Sequence, residues 1–306
     1  MQAIIRYIRS YVQQVDKTVW LLVTLLTAGL VFCNYYFEID GRISSANSFS
    51  TAFMARYGIF LFAFVSPYIL YVVVGKRKYF TEPLFIFLLL LAPAIFSLKI
   101  ALNVPVTISP DSSWNHYWNL VLYWPALLII LSAILFILWK SFYKQDSFFG
   151  FTFQQLNWKP YLVMLLFMLP LMAAASTQPD FLAMYPKIKM ITGGYKDPGF
   201  HWWHKILFEL SYGSDFIGIE LFFRGFLILA FMKWVGKDAI LPMACFYCTI
   251  HFGKPAGECI SSYFGGILLG IIVSHTRSIF GGLIVHLGIA WMMELGGYLG
   301  NMYLQN

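Results

Sequence analysis

Tyr117–Trp139 reads YWNLVLYWPALLIILSAILFILW, an unbroken stretch with no charged side chain. About 20 such residues cross a bilayer as a helix, and similar runs recur along the chain. The whole sequence of 306 residues is 59% hydrophobic and 11% charged, whereas about a quarter of a soluble domain is charged. In hydrocarbon the backbone must bond to itself, which a helix achieves within each run. The sequence therefore specifies an all-α polytopic membrane protein. Spans are expected at Val19–Phe37, Tyr57–Val74, Leu84–Val104, Tyr117–Trp139, Tyr161–Ala175, Ile206–Met232, Ala239–Phe252, Cys259–Ser274 and Ile279–Leu299. The seventh and eighth are short, as suits buried helices or a re-entrant turn. A bundle of about eight spans is expected, with nine or seven as alternatives.

Charge placement orients this bundle. Arg6, Arg9 and Lys17 precede the first span, Lys76-Arg77-Lys78 follow the second, and Lys140, Lys144 and Lys159 lie between the fourth and fifth. Lys233, Lys237 and Arg277 fall on the same side, while Pro105–His116 carries Asp111 and no Lys or Arg. The positive-inside rule then puts the N-terminus in the cytoplasm, the chain in the inner membrane and Thr177–His201 outside, against the weaker pull of Lys187, Lys189 and Lys196. Residues 1–18 read as a cytoplasmic amphipathic segment, 19–175 and 206–306 as two sets of spans, and 176–205 as an external loop. The +7 formal charge is explained by this distribution, with membrane lipids as partners and no sign of nucleic-acid binding. Cys33, Cys245, Cys248 and Cys259 imply no disulfide framework.

The polar residues that matter lie in the last hundred positions. Glu220 and Arg224 stand four apart in an apolar helix, where an ionised side chain costs roughly 2.5–3.5 kcal/mol or more. Glu220 lies thirteen residues before Lys233, and His251 thirteen after Asp238, so at ~1.5 Å per residue both sit about 20 Å from the cytoplasmic edge. His286 and Ala290 bracket about 13–20 Å by the same count from Arg277. Glu220, Arg224, His251 and His286 are thus expected at one depth, lining a polar intramembrane chamber. A carboxylate beside an imidazole in an apolar site is the composition that deprotonates water.

These residues resemble the motifs of the CAAX protease and bacteriocin-processing family of intramembrane peptidases, written EExxxR, FxxxH and HxxxN. The matches are Glu220-Leu-Phe-Phe-Arg224-Gly225-Phe226, Tyr247-Cys-Thr-Ile-His251 and His286-Leu-Gly-Ile-Ala290, and they span about Gly213–Glu294. The resemblance implies a glutamate-dependent endopeptidase acting on membrane-associated, prenylated or bacteriocin-like substrates, without a cofactor. It implies that His251 partners the general base, that His286 donates to the oxyanion, and that Arg224 orients the acid.

Two positions depart from the pattern: Ile219 replaces the first glutamate and Ala290 replaces the asparagine. Either Glu220 takes over the water or another acid substitutes. Asp215 is about 140° around the helix from Glu220. Glu294 lies two turns beyond His286, and Glu258 follows His251 across Gly253-Lys254-Pro255. An inactive binding or immunity scaffold is the alternative function, and a small proton-coupled transporter the third. Cys245-Phe-Tyr-Cys248 with His251 also spells a C-x2-C-x2-H run, which offers zinc as an alternative, with His286 or Glu258 as a fourth ligand.

Overall fold

The computed structural model describes residues 1–306 except Asn47, Val104, Gln145, Asp146, Gln155, Lys196, Gln305 and Asn306, with the backbone alone at Leu304. Lys196, expected in the outer loop, and Val104, the expected end of the third span, lie outside the described residues. The described residues are helical with no strand, and the chain is a multi-pass membrane protein. Six helices are long and apolar enough to cross: Lys17–Phe37, Phe49–Val73, Pro83–Ala101, Ser112–Phe142, Ala256–Thr276 and Phe280–Tyr303. Lys159–Ala175 with Pro179–Ile191 makes a seventh if that pair, bent by 98°, is taken as one span.

Two expected spans differ in kind from these apolar helices. Ile206–Met232 folds as an α-helix, Trp202–Glu220, followed by a wide i→i+5 helix, Leu221–Ala230. Its charges, including Lys205, Glu209, Asp215, Glu220 and Arg224, make it too polar to qualify by apolarity. Ala239–Phe252 contracts to a ten-residue helix, Ile240–Thr249, with every residue buried. The eighth expected span is instead longer than its apolar core, at Ala256–Thr276. Pro255 precedes this helix at a position where its fixed φ and missing N–H cost nothing.

Two compact units interleave along the chain. The first comprises Met1–Leu102, Tyr143–Gln155 and Phe222–Ile279. Its Gln2–Gln14 helix is amphipathic as expected, burying Ile4 and Tyr11 while Arg6 and Arg9 stay exposed. This helix ends at Gln14, and Asp16 caps the first span, accepting from the Thr18 and Val19 N–H groups at 3.0 and 3.1 Å. Such a cap is worth about 1 kcal/mol. At the centre of the unit lies Ile240–Thr249, against Lys17–Phe37, Phe49–Val73 and Ala256–Thr276. Phe60, Phe96, Phe222 and Phe223 pack around Phe246, with centroids 5.0–6.1 Å apart. The helix is short and apolar on all sides because it contacts protein all round.

The second unit comprises Asn103–Phe142, Leu156–Leu221 and Phe280–Asn306. Trp202–Glu220 runs against Ser112–Phe142, and Phe280–Leu304 packs on both Lys159–Ala175 and Trp202–Glu220. Buried polar groups pin the first pair: Tyr117 Oη donates to the His204 carbonyl at 2.8 Å, and Ser211 Oγ to the Val121 carbonyl. Gly281 and Gly288 let Phe280–Leu304 approach Tyr161 and Leu165, since a Cβ on either would lie within 2.7 Å of that neighbour. Gly288 is therefore a helix-packing position. The segment read as an external loop is partly helical: Pro179–Met184 is α-helical and Lys187–Ile191 a 3-10 turn.

Candidate active site

In the second unit, Glu220 is wholly buried at the end of its α-helix and its Oε1 lies 3.1 Å from His286 Nδ1. Against an ionised carboxylate, which only accepts, the imidazole proton would sit on Nδ1 and the basic lone pair on Nε2. The Phe216 ring, one turn before Glu220, lies edge-on to the His286 ring at 4.6 Å. Gly282, one turn before His286, completes the fit. A Cβ there would lie 2.2 Å from Glu220 Oε2, so only glycine admits the carboxylate at its observed position. Glycine at 282 and histidine at 286 therefore form one stripe, with the Glu220 carboxylate lying along it.

In the first unit, Arg224 is 1% exposed and its guanidinium carbon sits 4.1 Å from the centroid of the Tyr247 ring. This cation–π contact, in desolvated surroundings, is worth about 2 kcal/mol. Arg224 belongs to the wide-turn helix, a form frequent at functional sites. The α-helical i,i+4 arithmetic that paired it with Glu220 in the sequence stops at Leu221. Tyr247 stands in for the motif phenylalanine and also contacts His251, with ring centroids 4.7 Å apart at 70°.

His251 lies beyond the helix end, in the turn after Thr249, which corrects the depth count that carried a helix through it. Its Nδ1 is 2.9 Å from the Tyr247 carbonyl. A carbonyl also only accepts, so His251 too presents its lone pair on Nε2.

Asn34, which the sequence reading passed over, anchors this turn. It is 3% exposed, donates Nδ2–H to the Phe252 carbonyl at 3.0 Å and accepts the Asp40 N–H at 3.1 Å. Tyr35 Oη adds a bond to the Lys254 carbonyl at 2.6 Å. The signal was present, since a lone amide near the end of an apolar run marks a functional or bonded position, but Asn34 is 217 residues from His251. Asn34→Leu strips the Phe252 carbonyl and the Asp40 N–H of their partner. It is expected to lower unfolding stability by about 1–3 kcal/mol, measurable as a drop in the thermal midpoint of the detergent-solubilised protein.

The other expected residues fall elsewhere. Glu258 lies 3.4 Å from Lys254 in an i,i+4 pair at the start of Ala256–Thr276. Glu294 accepts the Lys187 and Ile188 N–H groups at 2.8 and 3.3 Å and shares a carboxyl–carboxyl hydrogen bond with Glu209. It thereby ties the Lys187–Ile191 turn to the last helix. Glu209 is a second residue that the motif reading missed. Ile219 and Ala290 are buried apolar side chains, 7% and 3% exposed. Cys248 and Cys259 bring their sulfurs to 3.8 Å as free thiols. Among the described residues no three His, Cys, Asp or Glu side chains gather as a metal site.

No curated protein and no solved structure matches the chain. Residues 206–292, the segment that holds Glu220, Arg224, His251 and His286, match the family model of type II CAAX prenyl endopeptidases, Rce1-like, and this makes the family-level reading of the segment a membrane peptide hydrolase.

Proposed function

We propose that the protein is an intramembrane endopeptidase in which Glu220 works through His286. The observation that carries the proposal is the 3.1 Å contact between a fully buried Glu220 carboxylate and His286 Nδ1. A carboxylate on one ring nitrogen fixes the tautomer and stabilises the imidazolium that forms when the other nitrogen takes a proton. His286 Nε2 then removes a proton from water, the resulting hydroxide adds to the peptide carbonyl, and the proton passes to the leaving amine. The resemblance had given His286 an oxyanion role and left the water to Glu220 with His251. The contact favours an exchange of roles, which also accounts for a site that works with Ile219 in place of the first glutamate. The chemistry, in this reading, uses no cofactor. The substrate class follows the family: a peptide carrying a prenylated, membrane-embedded C-terminal segment. N-terminus-in orientation in a cytoplasmic membrane, from the basic segments, belongs to the same proposal.

The test is cleavage of a fluorogenic prenylated CAAX peptide by the purified full chain in detergent or liposomes. Release of the C-terminal tripeptide supports the reading, and no turnover of prenylated or unprenylated peptide overturns it. His251→Ala decides whether the second histidine serves the same reaction. Ile219 and Ala290 favour the second reading, a non-hydrolytic scaffold that captures the same class of peptide. It predicts retention of the prenylated peptide, uncleaved, by wild type.

A further inference from the structure

A second polar site lies within the first unit, in a cavity of about 400 Å³. Arg77 and Lys237 bring two cations to its wall and Asp238 brings a carboxylate. Arg77 Nε is 3.5 Å from Asp238 Oδ2, the oxygen that also receives the Tyr79 hydroxyl. Lys237 Nζ is held at 3.2 Å from both Gln14 Oε1 and His275 Nε2. The surface helix contributes Tyr11, which is 1% exposed and lines the cavity. Its hydroxyl has no hydrogen-bond partner among the described residues. Behind it the Tyr68 and Tyr71 hydroxyls are buried in the same condition. Buried hydroxyls are ordinarily bonded, and leaving one unmade costs about 1–3 kcal/mol. An unbonded donor on a residue that lines a charged cavity points to a ligand that supplies the acceptor.

We propose that this cavity binds the phosphoethanolamine headgroup of a membrane phospholipid. A purely anionic ligand would face Asp238, and a purely cationic one would face Arg77 and Lys237. A zwitterion matches both, with phosphoryl oxygens accepting from Arg77, Lys237 and the Tyr11 hydroxyl, and the ammonium donating to Asp238. Tyr79 holds the carboxylate in place. The ammonium must carry N–H groups, so a choline headgroup, which has none, loses that contact. The volume falls within the range of small-ligand sites. The Gln2–Gln14 helix is of the amphipathic type that lies at headgroup depth, and Trp234 on the cavity wall is a residue type enriched there.

The test uses the delipidated full-length protein in detergent, titrated with phosphatidylethanolamine, phosphatidylcholine, phosphatidylglycerol and free phosphoethanolamine, with bound lipid read by native mass spectrometry. One phosphatidylethanolamine per chain is expected, held about tenfold tighter than either other lipid, the scale of one charge-assisted contact. Arg77→Gln, Lys237→Gln and Tyr11→Phe are expected to weaken it. Asp238→Asn, which keeps an acceptor for Tyr79, is expected to erase the preference over phosphatidylglycerol. Arg6→Gln, on the exposed face of the same helix, is expected to change nothing. Equal retention of all three lipids, or retention unaffected by the four site variants at unchanged thermal midpoint, overturns the proposal. Free phosphoethanolamine binding as tightly as the lipid overturns its assignment to the membrane.

Discussion

Glu220→Gln is expected to cut kcat for prenylated-peptide cleavage by about 10²–10⁴-fold, the usual yield of positioned acid–base catalysis. Gln preserves the volume and an oxygen that accepts from His286 Nδ1, so the change removes the charge and little else. His286→Ala is expected to lose a similar factor. Because the two residues act as one dyad, the double variant should fall no further than the worse single one. A product of the two losses would show that they act separately and would sink the dyad. If Glu220→Gln cleaves as wild type does, then the carboxylate only anchors helices, a role that buried ion pairs do fill. Thermal midpoints separate the outcomes, since a catalytic loss leaves the midpoint near wild type and a structural loss does not.

Gly282→Ala is expected to be nearly as damaging, although it adds a single methyl group at a position outside the motifs. That methyl would lie 2.2 Å from Glu220 Oε2, so the carboxylate must move or the helices must part. Overpacking of this kind costs about 1–3 kcal/mol, and displacing a catalytic group by about 1 Å costs about 10²-fold in rate. Gly265→Ala is the matched control, because a Cβ there meets nothing within 4 Å. It should gain about 0.4–1 kcal/mol through reduced chain entropy and leave cleavage unchanged. Equal behaviour of the two alanine variants would mean that Glu220 has more room than its contacts indicate.

Much of this architecture was legible without coordinates. Each span announces itself through a local property, an uninterrupted apolar run, and that property does not depend on what the helix touches. Apolarity read Ile206–Met232 as a simple span, whereas the region carries several charges and changes from α-helix to a wide-turn helix at Leu221. It overextended Ile240–Thr249 because residues after a helix end can be as apolar as those within it. The amphipathic first helix could be read directly, since its pattern is local, whereas its end at Gln14 and the Asp16 cap came from the structure. Asn34 and Glu209 were not found, because each acts on a partner more than eighty residues away in the sequence.

The division of labour is clearest around Glu220. Sequence alone determined that a carboxylate, an arginine and two histidines lie in the C-terminal membrane segment in the family's order, because the motifs are short and fixed in spacing. Only tertiary structure decided which imidazole receives the carboxylate. His286 is 66 residues from Glu220, and the contact depends on how closely two helices approach. That approach is set by Gly282, whose missing side chain leaves the space in which the Glu220 carboxylate lies.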